Sequence, residues 1–175
     1  MASITADQGT EMLRGGDFAD CSIICSGYTF SVHKAIIVKK SKFFKTCVSG
    51  KFKESKLGSV ELADEAPYAV AIMLVYIYCG MPQMTCGHAR DTNRDVKDVW
   101  PSLGWLADEA EDYVEFTIQC TARVYKSADR LMIEDLHKHC QELLLSLGDP
   151  LGVAWSVPDE SGNPDQRFHI HYSSS

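Results

Sequence analysis

The stretch from Asp17 to Phe44 constrains the fold most, because its apolar residues follow first the period of strands and then the period of helices. Residues 21–25 place Cys or Ile at every second position, which is typical of a β-strand. Ser26-Gly27 then predicts a tight turn, since glycine adopts positive φ without steric cost. Residues 28–32 alternate again, so the sequence predicts a second strand that pairs back as a hairpin.

After the hairpin the apolar spacing becomes helical. Residues 36–38 cluster as on one buried turn of a helix, and Ser41 is a suitable N-cap for a following helix that carries Phe43 and Phe44 inward. Further along, the pattern predicts a short strand, a helix that starts at Pro67, a long charged loop and two more helices. We place these elements at residues 59–63, 67–80, 81–112, 113–131 and 133–147.

Five sequence blocks resemble a BTB/POZ domain. D-F-x-D-C-x-I, F-x-V-H-K-A-I-I and S-x-F-F form the opening block, and the others are F-K-E-S (Phe52–Ser55), V-E-L (Val60–Leu62), P-x-x-V-x-x-M-L-x-Y-x-Y-x-G (Pro67–Gly80) and V-Y-x-x-A-D-R-L-x-I-x-x-L (Val124–Leu136). They cover roughly two thirds of the chain and are most similar to the BTB proteins of filamentous fungi. The resemblance implies an α+β fold, with a small mixed three-stranded sheet flanked by a cluster of helices and a long loop inserted at about 81–112.

We divide the chain into an N-terminal segment (1–16), a BTB/POZ domain (17–147) and a C-terminal tail (148–175). Residues 1–10 show no periodicity and are expected to fray. The longest apolar run is about 13 residues, too short to span a bilayer, and no signal-peptide pattern precedes it. The seven cysteines are an odd number and several occupy core positions, which favours a reducing compartment, the cytoplasm or the nucleus.

The charge is unevenly distributed around a net value of −7. Residues 34–56 contain eight lysines and a single acidic residue, Glu54. A nucleic-acid surface is one interpretation of this basic stretch. The alternative is a solvated helical face, which we favour because the lysines alternate with apolar core positions and the whole chain is acidic. We therefore predict neither a nucleic-acid partner nor a membrane partner.

Asp20 and Lys34 flank the predicted hairpin, which brings them close together. The resemblance implies a charged pocket at the interface of a homodimer built from the N-terminal segment and the first helical hairpin. The alternative is an ordinary ion pair that fixes the hairpin to the next helix, which contributes little where it is exposed.

Phe52-Lys53-Glu54 matches the hydrophobic-x-Glu element that cullin-3-binding members of the family carry. The resemblance implies that Phe52 fills a pocket on the cullin and that the Glu54 carboxylate fixes the angle. In the alternative, Phe52 packs inward and Glu54 is solvated. Cullin-3 adaptors usually carry further helices after this domain, whereas only about 28 residues follow Leu147 here.

The sequence gives little support for a catalytic site or a metal site. His33 invites interpretation as a general base, but no partner residues converge on it, so we predict a structural hydrogen-bonding histidine. Cys79, Cys86 and His88 lack the paired spacing of zinc ligands, as does the group formed by His137, His139 and Cys140. We predict no enzyme activity, no cofactor and no metal.

The predicted function is protein–protein interaction by a homodimeric module, with a role as a substrate adaptor of a cullin-3 ubiquitin ligase. A transcription-related or scaffolding assembly module that binds no cullin is the alternative. A third hypothesis, an enzyme or metalloprotein, stays open to a zinc determination. An adaptor would have to capture its substrate with the loop at 81–112 or with the tail, since no separate substrate-binding domain is recognisable.

Overall fold

The fold is α+β, with a small mixed sheet and a surrounding layer of helices. A computed structural model describes residues 5–49, 53–80, 99–100 and 113–151. In chain order its elements are α1 (Ala6–Gly15), β1 (Cys21–Cys25), β2 (Tyr28–Val32), α2 (Lys34–Lys40), α3 (Lys42–Ser49), α4 (Lys53–Leu57), β3 (Ser59–Glu61), α5 (Pro67–Cys79), α6 (Tyr113–Arg130) and α7 (Glu134–Leu151). The predicted fold class is confirmed.

The predicted hairpin forms the sheet together with β3. Ser26 and Gly27 make the turn with φ values of 45° and 85°. Strand β1 lies in the centre, antiparallel to β2 and parallel to β3. One face of the sheet is covered by the core. Ile23, Phe30 and Val60 point to that face and are buried, whereas the residues next to each of them along its strand point to the other face. The mixed three-stranded sheet is therefore confirmed.

Helix α5 is the centre of the core. Its residues from Ala69 to Tyr78 are all buried, as expected for a helix that is apolar on every side. Helices α1, α2 and α6 pack around it. Ala66 occupies its N-cap position without a side-chain hydrogen bond, and Asp64 forms an ion pair with Arg130 instead of capping the helix.

The N-terminus differs from the sequence prediction. Helix α1 already begins at Ala6, so the expected fraying is wrong for residues 6–10. Thr5 and Gln8 form a capping box, which satisfies main-chain groups at the start of the helix. Gly9 lies so close to α5 that a Cβ atom there would be 2.5 Å from the Tyr78 carbonyl oxygen. The close approach and the cap together hold the helix on the domain.

Two helices differ from the sequence prediction. No helix was predicted at residues 53–57, where α4 lies, and α7 extends to Leu151 rather than to 147. The tail after Leu151 lies outside the described residues, as does the loop at 81–112 except for Val99 and Trp100. The Trp100 ring packs edge-on against Phe30, with 5.1 Å between the ring centroids. Trp100 thus packs against the sheet through a residue of β2.

The start of α3 is closed by a side chain, whereas the end of α6 is closed by the main chain. Ser41 caps α3 as predicted, because its Oγ accepts the Phe44 N–H at 3.1 Å and its hydroxyl donates to the Leu131 carbonyl at 2.6 Å. Met132 follows the end of α6 with a φ of 53°, in the left-handed region that favours glycine. The Ile133 N–H donates to the Ala128 carbonyl at 2.8 Å, which closes this helix end.

Candidate functional site

Asp20 and Lys34 are neighbours, as the hairpin predicted. The carboxylate Oδ1 of Asp20 accepts a hydrogen bond from the main-chain N–H of Lys34 at 2.8 Å. His33, the N-cap residue of α2, makes no side-chain capping bond, so Asp20 caps this helix from the strand side. Asp20 is exposed and Lys34 is half-buried, and the contact joins the carboxylate to the main chain of Lys34 rather than to its ammonium group.

His33 is the centre of a buried hydrogen-bond network. Its main-chain N–H donates to the Tyr78 hydroxyl at 2.7 Å, and its Nδ1 lies 2.9 Å from the same oxygen. Its Nε2 lies 2.8 Å from the Asp17 carbonyl oxygen, which can only accept. We therefore assign the proton to Nε2, so that the Tyr78 hydroxyl donates to Nδ1. The predicted structural role of His33 is confirmed.

Of the two cullin-binding candidates, the structure describes only Glu54. Phe52 is outside the described residues. Glu54 lies in the first turn of α4, is half-buried, and its carbonyl accepts the Gly58 N–H at 2.9 Å. The helix also exposes Leu57, whose relative accessibility is 63%. The motif thus leads into a short surface helix between α3 and β3.

Six described lysines of the stretch 34–56 are exposed, and two of them contact acidic residues of α7. Lys42 forms an ion pair with Glu134, and Lys40 lies 3.9 Å from Asp135. These contacts fit the interpretation as a solvated helical face. They also attach α2 and α3 to the final helix.

Most cysteines of the described part are buried as apolar side chains. Cys21, Cys25, Cys120 and Cys140 are buried free thiols, and Cys47 is a half-buried one. Burial raises the pKa of Cys120 and Cys140 to about 12, which disfavours the thiolate needed by a nucleophile or a metal ligand. His137 stacks on Tyr125 with 4.2 Å between the ring centroids. Within the described residues no three His, Cys, Asp or Glu side chains converge as metal ligands.

The sequence reasoning missed a buried carboxylate at Glu65. Its side chain is 6% exposed, accepts a hydrogen bond from the Ser127 hydroxyl and lies 3.3 Å from Nη1 of Arg130. The main-chain carbonyl of Glu65 also accepts the Cys25 thiol at 3.0 Å. These bonds attach the connection before α5 to α6. In the sequence, the one hint of a role for Glu65 is its position shortly before Pro67. An acidic residue there predicts a helix cap rather than a buried ion pair.

Phe18 was also missed, although it belongs to the opening block of the resemblance. It is 96% exposed, the largest exposure among the big apolar side chains of the described residues, and its φ is 60°. It lies in a turn that Ala19 closes by donating its N–H to the Gly16 carbonyl at 3.1 Å. Sequence patterns could not indicate this exposure, because Phe18 lies outside any periodic element.

Comparison with known proteins places these features in a family. A family model described as the BTB/POZ domain matches residues 10–98. TD and POZ domain-containing protein 5 of Mus musculus is 27% identical over 138 residues, which cover 79% of this chain and 39% of that protein. TD and POZ domain-containing protein 4 of Mus musculus is 33% identical over 63 residues, 36% of this chain and 17% of that protein. The matched regions thus span less than half the length of these relatives.

Solved structures give the same fold. The BTB domain of zebrafish PATZ1 superposes with a TM-score of 0.50 at 16% identity, covering 83% of this chain and 98% of that domain. The likeness to fungal proteins stays a prediction, because the two relatives described above are mouse proteins. Among the helices of the described residues, none combines the length and apolarity needed to cross a membrane.

Proposed function

Because the chain belongs to the BTB/POZ domain family of protein-interaction modules, we propose that it assembles complexes as a homodimer, by binding rather than by catalysis. The observation that supports this proposal is the contact between Asp20 and Lys34, in which the exposed Asp20 carboxylate accepts the Lys34 main-chain N–H at 2.8 Å. In a twofold dimer the same surface serves on both chains, so an acidic group of one copy can pair with a basic group of the other. The unpaired thiols fit work in the cytoplasm or the nucleus.

Size-exclusion chromatography with light scattering tests the homodimer. We expect a mass twice the 19.5 kDa of one chain. Asp20→Asn keeps an oxygen that can cap α2 but removes the charge, so it should weaken the dimer about fivefold, the effect of roughly 1 kcal/mol. Asp129→Asn, at an exposed position of α6, is the matched change of charge and should have a smaller effect. A wild type that stays monomeric at every concentration would contradict the proposal.

A role as a cullin-3 adaptor is the second proposal, and the Phe52-Lys53-Glu54 motif supports it. Glu54 lies in the first turn of a surface helix, where its carboxylate is favourably placed near main-chain N–H groups. An apolar side chain just before such a turn is suited to fill a pocket on a partner helix. The loop proposed to capture substrates lies outside the described residues except for Val99 and Trp100, as does the tail after Leu151.

A binding assay with the purified N-terminal domain of cullin-3 decides this second proposal. We expect Phe52→Ala to weaken binding at least tenfold, because it removes an apolar anchor of about 1.4 kcal/mol or more. Leu57→Ala truncates an exposed apolar side chain of α4 and should change binding less than twofold. Absence of wild-type binding would instead favour the alternative, a transcription-related or scaffolding module without a cullin partner.

A further inference from the structure

Phe18 occupies a position that contributes little to the stability of its own chain. Its side chain is 96% exposed, so it adds almost no apolar burial. Its φ of 60° puts it at the place in a β-turn that glycine or asparagine usually takes. A bulky residue in this conformation is strained, and strained residues cluster at functional sites such as ligand clamps and switch regions.

The turn that carries Phe18 is rigidly fixed on both sides. Before it, the Gly16 N–H donates to the Met12 carbonyl at 3.1 Å and ends α1. Within it, the Asp17 carbonyl accepts the Nε2–H of buried His33 at 2.8 Å. After it, Asp20 is bonded to β2 through its main-chain N–H, at 3.2 Å from the Val32 carbonyl. The backbone that carries the Phe18 ring is therefore ordered before binding, which lowers the conformational-entropy cost of binding.

The surface around the turn favours a second copy of this chain as the partner. Residues 5–20 contain Asp7, Glu11, Asp17 and Asp20 against Arg14 alone, a net charge of −3. Residues 34–49 contain five lysines and no acidic residue, a net charge of +5. Lys39 and Lys45 are exposed and form no ion pair with a described residue. Two copies related by a twofold axis can pair each acidic surface with the basic surface of the other.

We propose that Phe18 is the apolar anchor of self-association, inserted into the surface of a second copy of this chain. This inference rests on the proposed homodimer and adds the residue that holds it together. Phe18 is two positions from Asp20, so the aromatic anchor and the charged pair form one continuous surface. Leu57 borders the same end of β1, because Gly58 bonds to Ser22 at 2.9 Å, and it extends the apolar part of that surface.

The test compares Phe18→Gly with Met132→Gly by sedimentation equilibrium. Each change removes an exposed apolar side chain at a positive φ and relieves backbone strain, but Met132 lies in the α6–α7 turn. We expect Phe18→Gly to raise the dimer dissociation constant at least 30-fold while far-UV circular dichroism stays that of the wild type. Met132→Gly should leave the dissociation constant within twofold and leave the midpoint of thermal unfolding unchanged or raised. Phe18→Leu keeps an apolar anchor and should fall between the wild type and Phe18→Gly.

The contrary outcomes distinguish failure of the Phe18 anchor from failure of the homodimer. A wild-type dimer whose dissociation constant is unchanged in Phe18→Gly overturns the anchor and leaves the homodimer in place. If Phe18→Gly fails to fold, an unchanged dissociation constant in Phe18→Leu overturns it as well, because Phe18 is then a structural residue. A wild type that never dimerises contradicts the homodimer itself and, with it, the choice of a second copy over another protein.

Discussion

Replacing Tyr78 with phenylalanine is expected to lower the free energy of unfolding by about 2–4 kcal/mol. The Tyr78 hydroxyl lies 2.7 Å from the His33 main-chain nitrogen and 2.9 Å from its Nδ1, and both residues are buried. Removal of the hydroxyl leaves two polar groups without a partner, each at a cost of roughly 1–3 kcal/mol. The ring itself stays, so no large cavity adds to this loss.

Urea denaturation at pH 7 measures the effect, and Tyr28→Phe is the matched control. Tyr28 is half-buried and its hydroxyl bonds to no described residue, so its removal should change stability by less than about 0.5 kcal/mol. A double-mutant cycle with His33→Ala should give a coupling energy of about 1 kcal/mol or more, because the two side chains share one hydrogen bond. A loss below 0.5 kcal/mol in Tyr78→Phe would show that the network is not what holds His33.

The same network connects the core to the surface. Tyr78 belongs to central helix α5, His33 joins β2 to α2, and the Nε2–H of His33 holds the Asp17 carbonyl beside Phe18. A change inside the core therefore reaches the turn that presents the proposed anchor through two successive hydrogen bonds. We expect Tyr78→Phe to weaken self-association less than Phe18→Gly does. It makes the turn that carries Phe18 less ordered but keeps the aromatic side chain itself.

The elements that the sequence predicted well are those defined by local pattern. The hairpin follows from alternation and from the turn at Ser26-Gly27, and the start of α3 follows from Ser41, whose cap bond spans only three residues. The mixed character of the sheet followed from the family resemblance rather than from any local signal, and the strand order β2-β1-β3 was not predicted. Tertiary contacts, not local periodicity, were needed to place them.

The features that escaped prediction depend on residues far apart in the chain. Glu65 meets Ser127 and Arg130 only because α6 packs beside the start of α5. Gly9 touches the Tyr78 carbonyl for a similar reason, so α1 gains its stability from α5 as well as from its own cap. The strain at Phe18 is invisible in sequence, since phenylalanine gives no signal for positive φ. Long-range packing therefore decides both the stability of the N-terminus and the surface that we propose for self-association.

Stability is also expected to fall steeply in alkali, by about 4 kcal/mol between pH 8 and pH 10. Burial raises the pKa of the Cys120 and Cys140 thiols from 9.0 to about 12. Burial likewise raises the pKa of the Tyr68, Tyr76 and Tyr78 hydroxyls from 10.0 to about 12. The unfolded chain loses these protons first, so above pH 9 the folded state binds more protons than the unfolded state. Stability therefore decreases as the pH rises from the unfolded pKa values towards the folded ones.

The magnitude follows from the fraction of each group that ionises in the unfolded chain at pH 10. Each cysteine contributes a loss of about 1.4 kcal/mol and each tyrosine about 0.4 kcal/mol. Urea denaturation at pH 8, 9 and 10 with a reductant measures the loss without oxidation of the thiols. Cys140→Ala removes one of the two buried thiols. The free energy of unfolding of this variant should therefore fall by about 1.4 kcal/mol less than that of the wild type between pH 8 and pH 10. Equal stability of the wild type at pH 8 and pH 10 would mean that these groups are not kept from ionising by the core, and that the packing of α6 and α7 around Cys120 and Cys140 is looser than described.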